Sequence, residues 1–236
     1  MPERKVEYRH ADTLLEGFLA HDGKGGKKPA VLVAHAWAGR SPFEDDKARA
    51  LAGLGYVGFA LDMYGKGILG SSVEENSALM TPLLQDRPRL QDRLHAALAA
   101  VRAQPEVDPS RVAAIGFCFG GLCVLDLART GADVLGVASF HGLLTPPGNT
   151  GGKAITSKVL VLHGHDDPMV PVSQVNDFEA EMTAAGVDWQ VHAYGGTLHS
   201  FTNPEANDPS FGTQFKATAN RRSWATLVDF LGEIFA

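Results

Sequence analysis

The chain has 236 residues, 44% of them hydrophobic and 20% charged, with a formal net charge of −6. That is ordinary globular composition, long enough for one sizeable core. No basic run exceeds Lys27-Lys28 and no stretch approaches about 18 uninterrupted apolar residues, so neither a nucleic-acid surface nor a membrane span is expected.

Residues 1–17 contain no apolar h-region, so no signal peptide is expected. Two apolar runs, 6–9 and 14–20, read as an antiparallel hairpin joined through Ala11-Asp12-Thr13. A polar, glycine-rich loop occupies 22–29, followed by a strand at 30–34. Ser41-Pro42-Phe43-Glu44 reads as a capping box with Pro42 at N1, opening a helix over 44–54 with Ala48, Leu51, Ala52 and Leu54 on its apolar face. A strand follows at 56–62, and then a segment, 63–87, to which the pattern assigns no element. Residues 89–101 repeat Leu90, Leu94, Leu98 and Val101 at spacings of four, four and three, a helical stripe. A strand at 112–117 and a helix at 120–129 come next, then a strand at 134–140 and a loop over 146–158. The remainder reads as strand 159–164, helix 174–185, strand 189–194 and helix 222–235. Strand and helix alternate, and several strands are apolar almost throughout. This predicts an α/β fold, a single domain over 1–236 with a mostly parallel central sheet, an N-terminal antiparallel hairpin and helices on both faces. In such sheets ligands collect at the carboxyl ends of the strands.

Gly116-Phe117-Cys118-Phe119-Gly120 falls between a predicted strand and a predicted helix. It fits G-x-nucleophile-x-G, a sharp turn that needs small residues on either side so that the backbones can pass. The helix N-terminus behind it favours a thiolate. A buried cysteine at a glycine-bordered turn is the competing reading. Cys123, inside Leu122-Cys123-Val124-Leu125, reads as a core residue. Two cysteines make no disulfide framework, and their spacing is unlike C-x-x-C, which argues against a redox pair and for a reduced, cytoplasmic protein.

A nucleophile at such an elbow needs a base, and the base an orienting carboxylate, in the chain order nucleophile, acid, histidine. Past the strand at 159–164 come Asp166 and Asp167, either of which can be the acid. Past the strand at 189–194 comes His199.

These residues resemble the dienelactone hydrolase family of the α/β-hydrolase superfamily over nearly the whole chain. The resemblance is carried by AHAWAG (34–39), LGYVGFALDMYGKG (54–67), GFCFGG (116–121), HGHDDPMVP (163–171) and GGTLHSF (195–201). It implies an α/β-hydrolase fold without a large lid domain and a thiol hydrolase opening a small ester or lactone through an acyl-cysteine. It selects Asp167, three positions before Val170-Pro171, as the acid and His199 as the base. The oxyanion would be held by the backbone N–H groups of Trp37 and Phe119, and no cofactor is implied. Two departures stand out. The family glutamate that holds the resting cysteine is replaced by Ala36, and an arginine after the histidine that binds the dienelactone carboxylate is replaced by Asn203. Dienelactone is therefore not the expected substrate.

Glu44 either serves the capping box alone or stands in for the missing glutamate. His35 and His141, at strand ends, are either satisfied histidines or groups that tune the site. The strand-end His35, His141, His163, His165 and Asp167 lack the tight spacing of zinc ligands, so no metal is expected. The substrate pocket is expected to involve His35, Tyr64, His141 and Phe201, with Trp37, Phe119 and Leu143 adding to an apolar mouth. Its cover would come from residues 63–87 and the loop after His199. Arg87 reads as a solvated helix-end residue, or else as a partner for a substrate carboxylate. The partner implied is a small-molecule ester or lactone. A non-hydrolytic ligand-binding protein on the same fold is the alternative.

Overall fold

The computed structural model describes residues 1–236. Strands β1 (Glu3–His10) and β2 (Thr13–Ala20) form the expected hairpin, with Ala11 at its turn in the left-handed region. Next come β3 (Lys28–Ala34), α1 (Pro42–Gly53), β4 (Val57–Ala60), α2 (Val73–Gln85) and α3 (Arg87–Arg102). They are followed by β5 (Val107–Phe117), α4 (Phe119–Arg129), β6 (Gly136–Phe140), β7 (Lys158–Gly164), α5 (Val172–Ala184) and β8 (Trp189–Tyr194). A two-residue ladder of β9 (Asn207–Asp208) and β10 (Thr213–Gln214) precedes α6 (Ala217–Ile234).

The eight long strands make one sheet in the order β1-β2-β4-β3-β5-β6-β7-β8. β1, β2 and β4 pair antiparallel, and every pair from β4 to β8 is parallel. The apolar runs follow from burial on both faces. Along β3, Ala30, Leu32 and Ala34 enter one apolar layer while Val31 and Val33 enter the other. The first layer is covered by α3, α4 and α5 through Leu94, Leu98, Leu122, Val124, Phe178 and Met182. The second is covered by α1 and α6 through Leu51, Ala52, Leu227 and Phe230. No helix is long and apolar enough to cross a membrane.

The segment 63–87 is not irregular as read from the sequence: it contains α2, capped by Ser72, whose hydroxyl accepts from the Glu75 N–H. Only Asn76 and Leu83 of this helix are buried, and Pro82 lies inside it, so its apolar stripe is faint.

Candidate active site

Because β3 to β8 are parallel, apart from β4's contact with β2, their carboxyl ends share one edge of the sheet. The loops after β3, β5, β7 and β8 bring Trp37, Cys118, Asp167 and His199 to that edge.

β5 is held in register between β3 and β6, with Gly116 opposite both Ala34 and Ser139. One residue beyond the ladder, the Cys118 N–H donates to Phe140 O at 3.0 Å. Cys118 then turns at φ 55°, ψ −114°, and α4 begins. The glycines make this turn feasible. A Cβ on Gly116 would lie 2.0 Å from Gly120 O, and one on Gly120 would lie 2.2 Å from Ala34 O. Three of the four non-glycine residues with positive φ are Cys118, His141 and Ser200, all at this edge. Backbone strain gathered in this way is typical of functional sites.

His199 Nδ1 lies 2.7 Å from Asp167 Oδ2, and both side chains are buried. Asp167 Oδ1 accepts from the Met169 N–H at 2.8 Å, which fixes the carboxylate. Asp166 is exposed on the turn and takes no part. The histidine loop is clamped by the small ladder, since the His199 N–H donates to Gly212 O and the Gln214 N–H to His199 O. His199 Nε2 has no well-formed hydrogen bond. The Cys118 thiol stands beside it on the same cavity wall without reaching hydrogen-bonding geometry. Burial pulls the His199 pKa down, but the charge of Cys118 and the bond to Asp167 outweigh it, and the value is pushed up to about 10. The Trp37 N–H donates to no other backbone group, and Phe119 opens α4, where the first N–H groups have no intrahelical acceptor.

Two cavities meet at Cys118, Trp37 and Ser200. The larger, about 540 Å³, is walled by His199 and by the apolar Met80, Leu143, Pro168, Met169 and Phe211. Trp37 and Phe211 stack across it with ring centroids 6.1 Å apart. The smaller, about 140 Å³, is walled by the polar Glu44, His141, Ser41, Thr202 and Asn203 together with the apolar Phe43 and Phe117. The cover expected from residues 63–87 and from the loop after His199 is supplied by Met80 of α2 and by Phe211.

Of the residues expected in the pocket, His141 lines the smaller cavity, while His35, Tyr64 and Phe201 line neither. His35 is fully buried. Its Nε2 accepts from the Met63 N–H at 3.1 Å, and its Nδ1 lies 2.6 Å from Ala36 O. The Tyr64 hydroxyl donates to Trp37 O at 2.8 Å. Both residues therefore shape the loop bearing Trp37 from behind. Phe201 is sealed in the second apolar layer, edge-on to His141 at 5.1 Å between centroids. Their strand-end positions are visible in the sequence, but the direction of each side chain is set by packing. Met80, Met169 and Phe211 were not anticipated, being ordinary apolar residues whose role comes from tertiary placement alone.

Glu44 completes the capping box: Oε2 accepts from the Ser41 N–H and hydroxyl at 2.9 and 2.8 Å. Oε1 also accepts from the Ala36 N–H at 3.3 Å, and neither oxygen bonds the thiol. Arg87 is neither solvated nor turned to the site, because it forks onto the buried Asp126 carboxylate at 2.6 and 2.5 Å. His141 Nε2 lies 2.8 Å from the Thr202 hydroxyl, and its Nδ1 has no partner. Burial, and then the nearby His199 charge, hold the His141 pKa well below the ordinary value. Cys123 is fully buried in α4, its pKa raised by burial, and both cysteines are free. No three His, Cys, Asp or Glu side chains converge in a way that would hold a metal ion.

A mostly parallel sheet with a strained G-x-C-x-G turn after one strand, and an aspartate and a histidine past two later strands, has the architecture of an α/β hydrolase. More particularly, the family model described as the dienelactone hydrolase family matches residues 15–235, and the chain belongs to that family, whose members are hydrolases of esters or lactones. A solved dienelactone hydrolase-like promiscuous phosphotriesterase from metagenomic libraries is 40% identical, with TM-score 0.94 over 100% of this chain and 99% of its own. An uncharacterized protein of Caenorhabditis elegans is 40% identical over 63% of this chain and 96% of its own length. A carboxymethylenebutenolidase of a Pseudomonas species is 29% identical over 84% of this chain and 83% of its own.

Proposed function

We propose that the chain is a thiol hydrolase, a single domain that cleaves a small, fairly apolar ester or lactone through an acyl-cysteine, using Cys118, His199 and Asp167. The observation that carries this reading is the buried His199–Asp167 pair, with its free Nε2 edge beside the elbow thiol. With the His199 pKa pushed up to about 10, the ring is an imidazolium at neutral pH, and in this mechanism the sulfur beside it attacks as a thiolate. Asp167 orients the ring through Nδ1. The Cys118 sulfur attacks the carbonyl carbon, and the oxygen gains its negative charge at the Trp37 and Phe119 N–H groups. Losing one such donor costs roughly 10²–10³ in rate. His199 Nε2 passes its proton to the leaving oxygen as the C–O bond breaks. The neutral ring then takes a proton from water, whose oxygen attacks the thioester carbonyl, and the acid leaves as the thiolate is regenerated.

The test is hydrolysis of p-nitrophenyl acetate by wild type, Cys118→Ala and His199→Ala. Turnover that vanishes in both variants is expected. Equal rates in all three would overturn the thiol mechanism and favour a non-hydrolytic ligand-binding protein. A phosphotriester belongs beside the ester because the 40%-identical solved neighbour is described as a phosphotriesterase.

A further inference from the structure

The two cavities differ in size and chemistry, yet both open on the same sulfur. Resting on the thiol-hydrolase reading, we propose that the small cavity is the acyl pocket. It would take a short acyl group ending in a hydrogen-bond donor, a hydroxyl or an ammonium, and refuse a carboxylate, while the large cavity takes an apolar alcohol.

The position of His199 sets the assignment. The leaving oxygen must face the ring that protonates it, and His199 walls only the large cavity. With Cys118 and Trp37 shared by the two cavities, the acyl chain points the other way, into the small one. Its 140 Å³ holds roughly four or five atoms at about 30 Å³ per water-sized group, so a long acyl chain is excluded.

The walls set the polarity. Glu44 is 2% exposed and lines the small cavity, its carboxylate accepting from the Ser41 N–H and hydroxyl and from the Ala36 N–H. No Arg or Lys lines either cavity. The nearest lysine on the same helix, Lys47, is turned onto the rings of Phe43, Phe117 and Trp224 at 4.8, 5.7 and 5.3 Å. His141 is 3% exposed with Nδ1 unpartnered, and when its Nε2–H donates to Thr202, Nδ1 is an acceptor. The unpaired Nδ1 acceptor calls for a donor, and the Glu44 carboxylate on the same wall would repel a second anion.

Phenyl esters of propionic, glycolic, malonic (monoester) and hexanoic acid test this by phenol release, each corrected for spontaneous hydrolysis. Glycolyl and propionyl are near-isosteric. In wild type, kcat/KM is expected to be severalfold higher for glycolate than for propionate, and at least tenfold lower for malonate than for glycolate. Hexanoate is expected at least tenfold below propionate. Hexanoate equal to propionate would overturn the pocket assignment, and malonate equal to glycolate would overturn its polarity. Glu44→Gln is expected to narrow the malonate–glycolate gap. Should that variant fail to fold, the wild-type series still decides. Propionate turnover that is lost in Cys118→Ala alongside a flat ester profile would sink only this inference. No turnover of any ester, or turnover surviving in Cys118→Ala, would sink the thiol-hydrolase reading with it.

Discussion

At Cys118 the backbone is held in a conformation that a non-glycine residue adopts at a cost of about 1–3 kcal/mol, and the sheet register on either side prevents it from relaxing. His199 is the second residue whose ordinary behaviour is changed by its surroundings. Its folded-state pKa of about 10 lies above the ordinary 6.5, so the native state binds a proton that a free imidazole would release. The sign follows: the stabilisation carried by this ring is present in full below about pH 6.5 and is lost as the pH rises through about 10. An NMR titration of the ring is expected to find its midpoint near 10 in wild type and lower in Cys118→Ala, because the charge of Cys118 is the leading cause that raises it. An unchanged midpoint would mean that Asp167 alone supports the charge. The shared placement of Cys118, Asp167 and His199 was legible because each lies past the carboxyl end of a strand. His35 and Tyr64 show where that logic stops: they too sit at strand ends, yet their hydrogen bonds turn them beneath the Trp37 loop.

Among the elements, the β9–β10 ladder has a role out of proportion to its size. It fixes the His199 backbone on both sides, and its turn packs on the acid loop through Gly212. A Cβ on Gly212 would lie 2.3 Å from Pro168 Cγ, at a φ of +88° that an L side chain resists. Gly212→Ala is expected to cost about 1–3 kcal/mol of stability and to lower kcat more than tenfold by shifting His199 against Cys118. Thermal unfolding and ester kinetics on the same sample check this, and intact kcat would show that the clamp does not position the base. Two-residue strands leave no periodicity to read, so this clamp was invisible in the sequence. α2 was hidden for another reason. Only Asn76 and Leu83 are fully buried and Pro82 lies inside it, although Ser72 followed by Glu75 at N3 is a start signal that a search for caps would have found.

Taken whole, the molecule grades from a doubly covered centre to a thin edge. β3, β6, β7 and the Val112–Phe117 part of β5 are nearly all buried, whereas β1 buries only Tyr8. Hydrogen exchange is expected to be slowest in those four strands and fastest, among the sheet strands, in β1. Exchange at one uniform rate would mean that the hairpin and the parallel core open together. The fold class was readable because burial on both faces writes itself as unbroken apolar runs.

The unlike pair of cavities has a geometric consequence. A flat ester carbonyl has two mirror-image faces, and in solution a thiol attacks either. In the proposed arrangement the sulfur comes from the elbow, the oxygen points to the Trp37 and Phe119 amides, the large group lies toward Met80 and Phe211, and the small group lies toward Glu44 and His141. Four different substituents in four fixed directions give the tetrahedral carbon a single handedness, even when the substrate itself has none.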